Sequence, residues 1–318
     1  MITGKQRRDF EKQGYRIVGS HSAVKVCLWC KRAIRGEDVC YKNAFYGIAS
    51  HRCIQASVSL TNCYLRCQFC WRCLDYTEAK EITCPDGPKA VLDGLIAEQR
   101  RYLQGFKGNE KASARLFKES MEPKHVALSL AGDATMYPLL PGLIDEIHDR
   151  KMTSFLVTNG LRPDMLRKLL NHKPTQLYIT VAAPDKETYL KTCRPLVADA
   201  WERLNESLKI LQEFERRTVR LTLVKGVNML NPEGYAGLLK DLDIDFVEVK
   251  AAMPVGYAQY RMAYESMPSH DEIRDFAKRI CGASGFKIVD EKDNSRVVLM
   301  MREDFPGRKL NSVERVPC

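Results

Sequence analysis

From about residue 55 onward, short apolar runs alternate with longer amphipathic stretches, and this alternation restricts the fold more than any other feature. Short β-branched or apolar runs predict strands, whereas a period of about 3.6 residues predicts helices. The predicted strands are 55–61, 125–130, 154–158, 176–181, 217–224 and 245–250, and the predicted helices between them are 88–103, 141–150, 163–170, 200–215 and 233–242. Repeated strand-helix units predict an α/β fold with a parallel sheet, which right-handed crossovers curl into a partial (β/α)6 TIM-like barrel.

Side chains suited to chemistry follow the ends of several predicted strands. The first strand leads to Cys63, the second to the turn Gly132-Asp133, the third to Asn159 and the sixth ends at Lys250. Because loops at the carboxyl ends of parallel strands carry the functional groups of such barrels, we expect one site to form there. The polar, glycine-containing stretch 105–118 is predicted to be a mobile insertion.

Charge is concentrated at the start of the chain. The first 53 residues hold 11 basic and 4 acidic side chains, which is +7 of the formal net charge of +10. Such a basic arm indicates a polyanionic partner, with nucleic acid the first candidate, although a solvated basic face is the simpler alternative. We therefore divide the chain into a basic extension at 1–54, a barrel core at 55–260 and a C-terminal extension at 261–318 that packs on the barrel and is a second candidate for RNA contact.

Twelve cysteines are present, nine of them between Cys27 and Cys84. The sequence has no run of about 18 apolar residues and no stretch resembling a signal peptide, so we expect a cytoplasmic protein without a membrane span. In a reducing compartment, clustered thiols indicate metal ligands or catalytic groups rather than disulfides.

The loop CYLRCQFC places Cys63, Cys67 and Cys70 in a C-x3-C-x2-C spacing. Three thiolates can wrap a 4Fe-4S cluster and leave the fourth iron open to a small molecule, whereas Cys73 as a fourth ligand would give a closed electron-transfer cluster. The spacing, the aromatic Phe69 and the barrel behind the loop resemble the radical S-adenosylmethionine superfamily. The resemblance implies that S-adenosylmethionine binds the open iron and is cleaved to a 5′-deoxyadenosyl radical, and that Cys73 is a spare thiol.

Four further residues are assigned to the cofactor by this resemblance. Gly132 and Asp133 lie where the superfamily has a Gly-Gly-Glu-like segment, whose backbone holds the methionine amino group, although the sequence here is Ala-Gly-Asp. Asn159, in VTNG, is expected to line the adenosyl pocket. Lys250 is expected to approach the methionine carboxylate or the substrate. The alternatives are a plain Asn-Gly turn and a solvent-facing lysine.

A second set of thiols, Cys27, Cys30, Cys40 and Cys53, precedes the first. Its spacing is compatible with a four-thiolate zinc site. However, Cys27, Cys40 and Cys53 are each thirteen positions apart. With that spacing, the chain resembles the 4-demethylwyosine synthase family over nearly its whole length, on the segments GSHSAVKVC, VCYKNAFYGIASHRC, CQFCWRC, MEPKHVALSLAGDATMYP, FLVTNG, RPLVADAWERLNESL and VEVKAAMPVGYA.

Membership of that family implies a complete reaction. The substrate would be tRNA(Phe) carrying N1-methylguanosine next to the anticodon, condensed with two carbons of pyruvate in a lyase-class reaction. Cys27, Cys40 and Cys53 would hold a second 4Fe-4S cluster, with Cys30 undecided. Lys42 would form a Schiff base with pyruvate, with a phosphate-contacting lysine as its alternative role and Lys107 as a second candidate.

No flavin-binding domain is visible in the sequence, so we expect an external electron donor, and we expect a monomer. Two other functions remain open at this point: a non-catalytic zinc-bearing RNA-binding protein, and a radical enzyme with a different substrate, such as an activase. In the arm, Lys31, Arg32 and Arg35 are predicted to bind tRNA phosphates, with Arg308 and Lys309 as the alternative. The aromatic residues of the arm are predicted either to stack on anticodon-loop bases or to pack near the second cluster; they are Trp29, Tyr41, Phe45 and Tyr46. His51 is expected to orient the loop of Cys53.

Overall fold

The computed structural model describes residues 2–310, which form one ten-stranded sheet flanked by helices. The strands are β1 Arg16–Val18, β2 Ser22–Val24, β3 Cys53–Ser57, β4 His125–Leu128, β5 Thr153–Thr158, β6 Gln176–Thr180, β7 Arg217–Leu223, β8 Phe246–Ala251, β9 Lys287–Lys292 and β10 Val297–Met301. Their order across the sheet is β1-β2-β3-β4-β5-β6-β7-β8-β10-β9. Strands β3 to β8 pair in parallel, so the six predicted barrel strands are confirmed.

Helices connect these strands and cover one face of the sheet. The helices are α1 Gly4–Lys12, α2 Leu28–Ile34, α3 Tyr41–Tyr46, α4 Pro88–Leu103, α5 Ala114–Ser120, α6 Leu140–Asp149, α7 Pro163–Leu169, α8 Lys186–Cys193, α9 Ala200–Leu211, α10 Pro232–Lys240 and α11 His270–Ser284. The five predicted helices correspond to α4, α6, α7, α9 and α10. Within residues 2–310, no helix is both long and apolar enough to cross a bilayer.

Antiparallel strands extend the parallel sheet at both ends. The N-terminal hairpin of β1 and β2 joins β3, and the C-terminal hairpin of β9 and β10 joins β8. Because β1 and β9 are the two edges, the sheet is not closed by hydrogen bonds between them. The two terminal regions therefore continue the sheet of the core.

The face of the sheet opposite the connecting helices is covered by α3. Phe45 and Tyr46 are completely buried and Tyr41 is nearly so. They pack against alternate side chains of the parallel strands, among them Phe155 and Tyr178. The prediction that these three aromatic residues stack on RNA bases is therefore wrong, because they fill the inside of the curled sheet.

The stretch predicted to be a mobile insertion is partly helical. Helix α5 begins at Ala114, and Ser113 caps it by accepting a hydrogen bond from the Leu116 amide. Phe117 and Met121 pack on an apolar cluster around Ile34 of α2. The prediction is wrong for residues 114–118, because apolar side chains spaced one helical turn apart anchor the segment.

Candidate active site inside the curled sheet

The first thiol group lies in the loop that follows β3. Cys63 is buried, and its Sγ accepts hydrogen bonds from Asn159 Nδ2 (3.4 Å) and the Leu65 amide (3.4 Å). Cys70 Sγ accepts one from Arg72 Nε at 3.2 Å. Donors aimed at the sulfurs are what thiolate ligands of an iron-sulfur cluster require around them. The residues present therefore fit a cluster bound by this loop.

The protonation of these thiols depends on whether metal is bound. Burial raises the pKa of Cys63 to about 12, while nearby Arg72 opposes the shift. The pKa of Cys67 is raised well above its usual value by a hydrogen bond to Cys193 and by burial. Without metal these groups are neutral, and ligation must displace their protons. Cys193 was assigned no role from the sequence, yet it lies in contact with Cys67.

The other neighbours of the loop hold its backbone. The Arg261 guanidinium donates to the carbonyl oxygens of Gln68 (3.3 Å) and Cys70. Trp71 Nε1 donates to Leu130 O at 2.7 Å. Cys73 lies against Tyr257. The pKa of Tyr257 is raised, chiefly by burial and further by the neighbouring Cys73. Hydrogen bonds to its backbone carbonyls therefore hold the loop in place, and the Cys73 thiol contacts Tyr257.

The turn after β4 requires a glycine. Gly132 has φ +70°, and a Cβ there would lie 1.7 Å from Ser59 O. Asp133 is buried, and its carboxylate accepts hydrogen bonds from Thr135, Thr158 and the Asn159 amide at 2.6–3.0 Å. This carboxylate joins the ends of β4 and β5. The Ser57 and Ser59 hydroxyls donate to the carbonyl oxygens of Ala131 and Asp133, so the Gly132 carbonyl is the acceptor of the turn that a cofactor could use.

The second thiol group lies at the other end of β3. Cys27 is the N-cap of α2, Cys40 is the N-cap of α3, and Cys53 is the first residue of β3. Burial raises the pKa of Cys40 to about 11, and nearby Cys27 raises it further. The pKa of Cys53 is raised chiefly by burial, and the nearby thiols of Cys27 and Cys40 raise it further. The three predicted ligands are therefore neighbours.

Cys30 also belongs to this neighbourhood. Its thiol is completely buried and lies 3.8 Å from His51 O, and its backbone amide donates to Cys27 Sγ at 3.3 Å. Among residues 2–310, no three His, Cys, Asp or Glu side chains converge closely enough to hold a single metal ion. A four-iron cluster is larger than one ion, so its ligands stand farther apart than those of zinc.

Lys42 follows Cys40 on the buried side of α3. Its ammonium lies 5.1 Å from the ring centre of Phe155 and 4.6 Å from that of Tyr178. Within the part of the chain that the structure describes, this group makes no hydrogen bond or ion pair. Burial lowers the pKa of Lys42, and Arg220 lowers it further, while Glu248 opposes the shift. The amine is therefore held among aromatic rings without a counterion in contact.

A buried carboxylate that sequence reasoning missed fixes the orientation of α3. Glu248 of β8 is completely buried and accepts hydrogen bonds from Tyr46 Oη (2.8 Å), Arg220 Nε (2.8 Å) and Tyr41 Oη (3.2 Å). The available signal was the alternation of Glu248 and Lys250 along a buried strand. This network connects the helix that carries Lys42 to two strands.

Two other lysines were considered from the sequence. Lys250 Nζ donates to Ser295 O at 2.7 Å and lies 5.2 Å from the ring centre of Tyr41. Burial lowers its pKa to about 8, and Cys40 is among its charged neighbours, so Lys250 lies beside the second thiol group. Lys107 is exposed at the end of a short 3-10 turn.

The basic residues of the arm are largely engaged within the protein. Lys31 Nζ donates to Tyr102 Oη at 2.7 Å, and Arg35 pairs with Glu37 at 2.6 Å. Arg32 lies over the ring of Trp29. His51 bonds Glu119 at 2.7 Å, which ties the segment before Cys53 to α5. At the other end of the chain, Arg308 pairs with Asp290 and Asp304. These cationic side chains are therefore engaged within the protein and do not form a group of unpaired charges along one surface that an RNA strand could follow.

Family models match the chain from the end of β3 to just beyond β10. Residues 57–239 match the radical SAM superfamily, and residues 242–302 match a family described as wyosine base formation. Together with the parallel sheet and the three-thiol loop, the first match defines the chain as a radical S-adenosylmethionine enzyme. The prediction of a 4Fe-4S cluster and S-adenosylmethionine as its cofactors is thereby confirmed.

Individual relatives narrow the class. S-adenosyl-L-methionine-dependent tRNA 4-demethylwyosine synthase of Pyrococcus abyssi is 45% identical over 93% of this chain and 88% of its own. The enzyme of the same name from Methanocaldococcus jannaschii is 38% identical over 98% and 99%. A structure of TYW1 with a lysine-pyruvate adduct bound superimposes with a TM-score of 0.88 at 36% identity, covering 97% of this chain and 99% of that chain. The chain belongs to the tRNA 4-demethylwyosine synthase family.

Proposed function

We propose that this enzyme condenses N1-methylguanosine next to the anticodon of tRNA(Phe) with two of the three carbons of pyruvate, releasing the third and forming the tricyclic base 4-demethylwyosine. The observation that carries the proposal is the buried amine of Lys42 inside the curled sheet, two residues from Cys40. The family membership and the lysine-pyruvate adduct of the related TYW1 structure support it. A colourless zinc protein or an activase would have no use for such an amine.

Lys42 is the residue best placed to bind pyruvate covalently. A Schiff base requires a neutral amine, and burial without a paired carboxylate lowers the pKa of Lys42, which favours that form. Attack of Nζ on the keto carbon releases water and leaves that carbon electrophilic. The guanine amino group later displaces the lysine, which restores the free amine.

The thiols hold the two clusters in this proposal. Cys63, Cys67 and Cys70 ligate the first, and Cys27, Cys40 and Cys53 ligate the second, which lies next to Lys42. When bound at the first site, S-adenosylmethionine supplies the carbon radical that removes a hydrogen from the N1-methyl group.

The chain's own contribution at the first site is positioning. Asn159 holds Cys63 through its amide while its backbone is fixed by Asp133. The backbone of the Gly132 turn is left to receive the methionine amino group. Lys250 lies beside Tyr41 and the second thiol group, so its role is toward pyruvate or the guanine base rather than the methionine carboxylate.

Reductive trapping tests the assignment of Lys42. Anaerobic enzyme is incubated with carbon-labelled pyruvate and cyanoborohydride, digested and analysed by mass spectrometry. We expect a reduced adduct on the peptide that contains Lys42 and its loss in Lys42→Gln. Lys107→Gln is the matched control, since it removes the exposed lysine that the sequence offered as an alternative, and should trap normally.

Label on Lys107 or Lys250, or undiminished trapping in Lys42→Gln, would contradict the assignment. Iron and sulfide analysis of each variant shows whether a lost adduct reflects a lost cluster instead. We also propose that the enzyme works as a monomer in the cytoplasm, where its tRNA substrate is present, and that a separate reductant supplies the electron. Sedimentation of the purified protein and activity with added reductants test the monomer and the external electron donor.

A further inference from the structure

A large cavity lies beside the first thiol loop and is distinct from the inside of the curled sheet. Its volume is about 940 Å³, and its walls include Arg66, Cys73, Arg194, Tyr257 and Arg261. None of the three cluster ligands of the loop lines it. The cavity therefore opens next to the first site without being that site.

Two of its three arginines are available to a ligand. Arg261 is committed, because its guanidinium holds the backbone carbonyls of the thiol loop. Arg194 is exposed in a left-handed turn at the end of α8, and within residues 2–310 its side chain makes no hydrogen bond or ion pair. Arg66 reaches only the highly exposed Asp75 at 3.8 Å and Leu74 O at 3.4 Å. Such weak partners are easily exchanged for phosphate.

A highly exposed aromatic side chain stands next to the cavity wall, and a second follows it four residues later in the chain. Tyr260 is 76% exposed and Tyr264 is 68% exposed, far above the other large apolar side chains of the described chain. The ring of Tyr260 lies 5.9 Å from that of Tyr257 in the cavity wall. The segment is anchored to the thiol loop, because the Tyr257 amide donates to Trp71 O at 3.0 Å. The ring of Tyr260 is thus exposed, while the neighbour it packs against is held in place.

We propose that this cavity and the two tyrosines bind the anticodon loop of the tRNA substrate, with Arg66 and Arg194 on phosphates and Tyr260 and Tyr264 stacked on unpaired bases. The inference rests on the proposed function. Cations that follow a phosphate backbone, interleaved with aromatic platforms, are the pattern that binds single-stranded RNA. This surface takes the place of the N-terminal arm as the proposed tRNA-binding site, because the side chains of Lys31 and Arg35 in that arm are engaged within the protein.

Salt-dependent binding tests the arginines. Dissociation constants for substrate tRNA are measured from 50 to 400 mM salt without S-adenosylmethionine or reductant, on cluster-loaded protein. Arg66→Gln with Arg194→Gln should flatten the plot of log affinity against log salt by roughly 1.4, since each single-strand phosphate contact contributes about 0.7. The matched control is Lys278→Gln with Arg279→Gln, which removes two cations from α11, and it should leave the slope unchanged.

Stacking is tested separately. Tyr260→Ala should weaken tRNA binding by roughly 5- to 100-fold, whereas Tyr260→Phe keeps the ring and should bind like the wild type.

An unchanged salt slope in the double arginine variant, or equal binding by the alanine and phenylalanine variants, would overturn the proposal. A flatter slope after Lys31, Arg32 and Arg35 are changed to Gln instead would return the RNA to the arm and overturn it as well. Wild-type protein that fails to bind tRNA at 50 mM salt would reject the proposed function itself, whereas tight binding unaffected by these variants rejects only this surface. Iron content equal to wild type shows that a variant has kept its clusters.

Discussion

Removing the charge of Glu248 should loosen the helix that carries Lys42. The carboxylate is completely buried, and its partners are Arg220, Tyr41 and Tyr46. Glu248→Gln keeps the volume of the side chain but places an amide where the carboxylate faced the guanidinium. Arg220 is then a buried cation with only the Tyr41 hydroxyl (2.9 Å) as a hydrogen-bonding partner.

The size of the effect follows from this environment. Breaking a buried ion pair by removing one partner costs about 3–5 kcal/mol, because the remaining charge is left without compensation. We expect the lower end, about 3 kcal/mol, since Tyr41 still solvates Arg220 and the amide oxygen still accepts from Tyr46. In a chain of this size, that loss lowers the thermal midpoint by roughly 4–5 °C.

Thermal unfolding of the anaerobic, cluster-loaded protein measures the effect. The matched control is Glu187→Gln, which breaks the exposed pair with Lys191 on α8 and should leave the midpoint unchanged. Tyr46→Phe removes one hydrogen bond to the carboxylate without exposing a charge, and we expect about 2 kcal/mol. If Glu248→Gln unfolded at the same temperature as Glu187→Gln, the buried network would not hold α3 as argued.

The structure leads to three further predictions. Gly132→Ala should abolish folding of the turn, because its Cβ would overlap Ser59 O, and soluble yield compared with Gly105→Ala, where nothing lies within 4 Å, would show it. Burial lowers the pKa of His125 to about 4, so its neutral form stabilises the fold fully above pH 6.5. Stability measured by urea unfolding should fall by up to about 3 kcal/mol between pH 6.5 and 4, and less steeply in His125→Gln. Cys63→Ala should abolish reductive cleavage of S-adenosylmethionine while Cys73→Ala should not; equal losses in both would contradict an open iron.

The parallel core could be predicted from the sequence because its signals are local. Each of the strands β3 to β8 is a short apolar run next to a helix of regular period, and Pro88 and Pro163 mark helix starts. Helix α8 was missed because its buried side chains are few, chiefly Tyr189 and Cys193. The hairpin strands β1 and β2 have three residues each, too short for a period to be visible.

For the site, spacing alone singled out the clustered thiols, whereas the residues that support α3 were missed. Cys63, Cys67 and Cys70 lie in one short loop, so their spacing can be read directly from the sequence, and their assignment as cluster ligands stays a prediction. Glu248 and Arg220 are 28 positions apart and meet only because β7 and β8 pair in register. Tyr41 and Tyr46 looked suited to RNA because no local signal shows that α3 turns its aromatic side inward.

The positions of the two thiol groups along the strands constrain how the reaction proceeds. Cys53 begins β3, whereas Asn159, which contacts Cys63, follows the end of β5, so five to six strand residues, roughly 15–20 Å, separate them. The Lys42 amine lies over Phe155, the third residue of β5, and thus about half-way along this distance. If Lys42 holds pyruvate as proposed, the bound pyruvate would be directed toward the first thiol loop, and the guanine would have to leave its stack and enter the curled sheet to meet it. Shortening the lysine arm by ornithine at position 42 should then preserve imine trapping while reducing ring formation, because the keto carbon would be drawn back toward Cys40. Equal yields of tricyclic base from both side chains would show that the base, rather than the lysine, covers the distance.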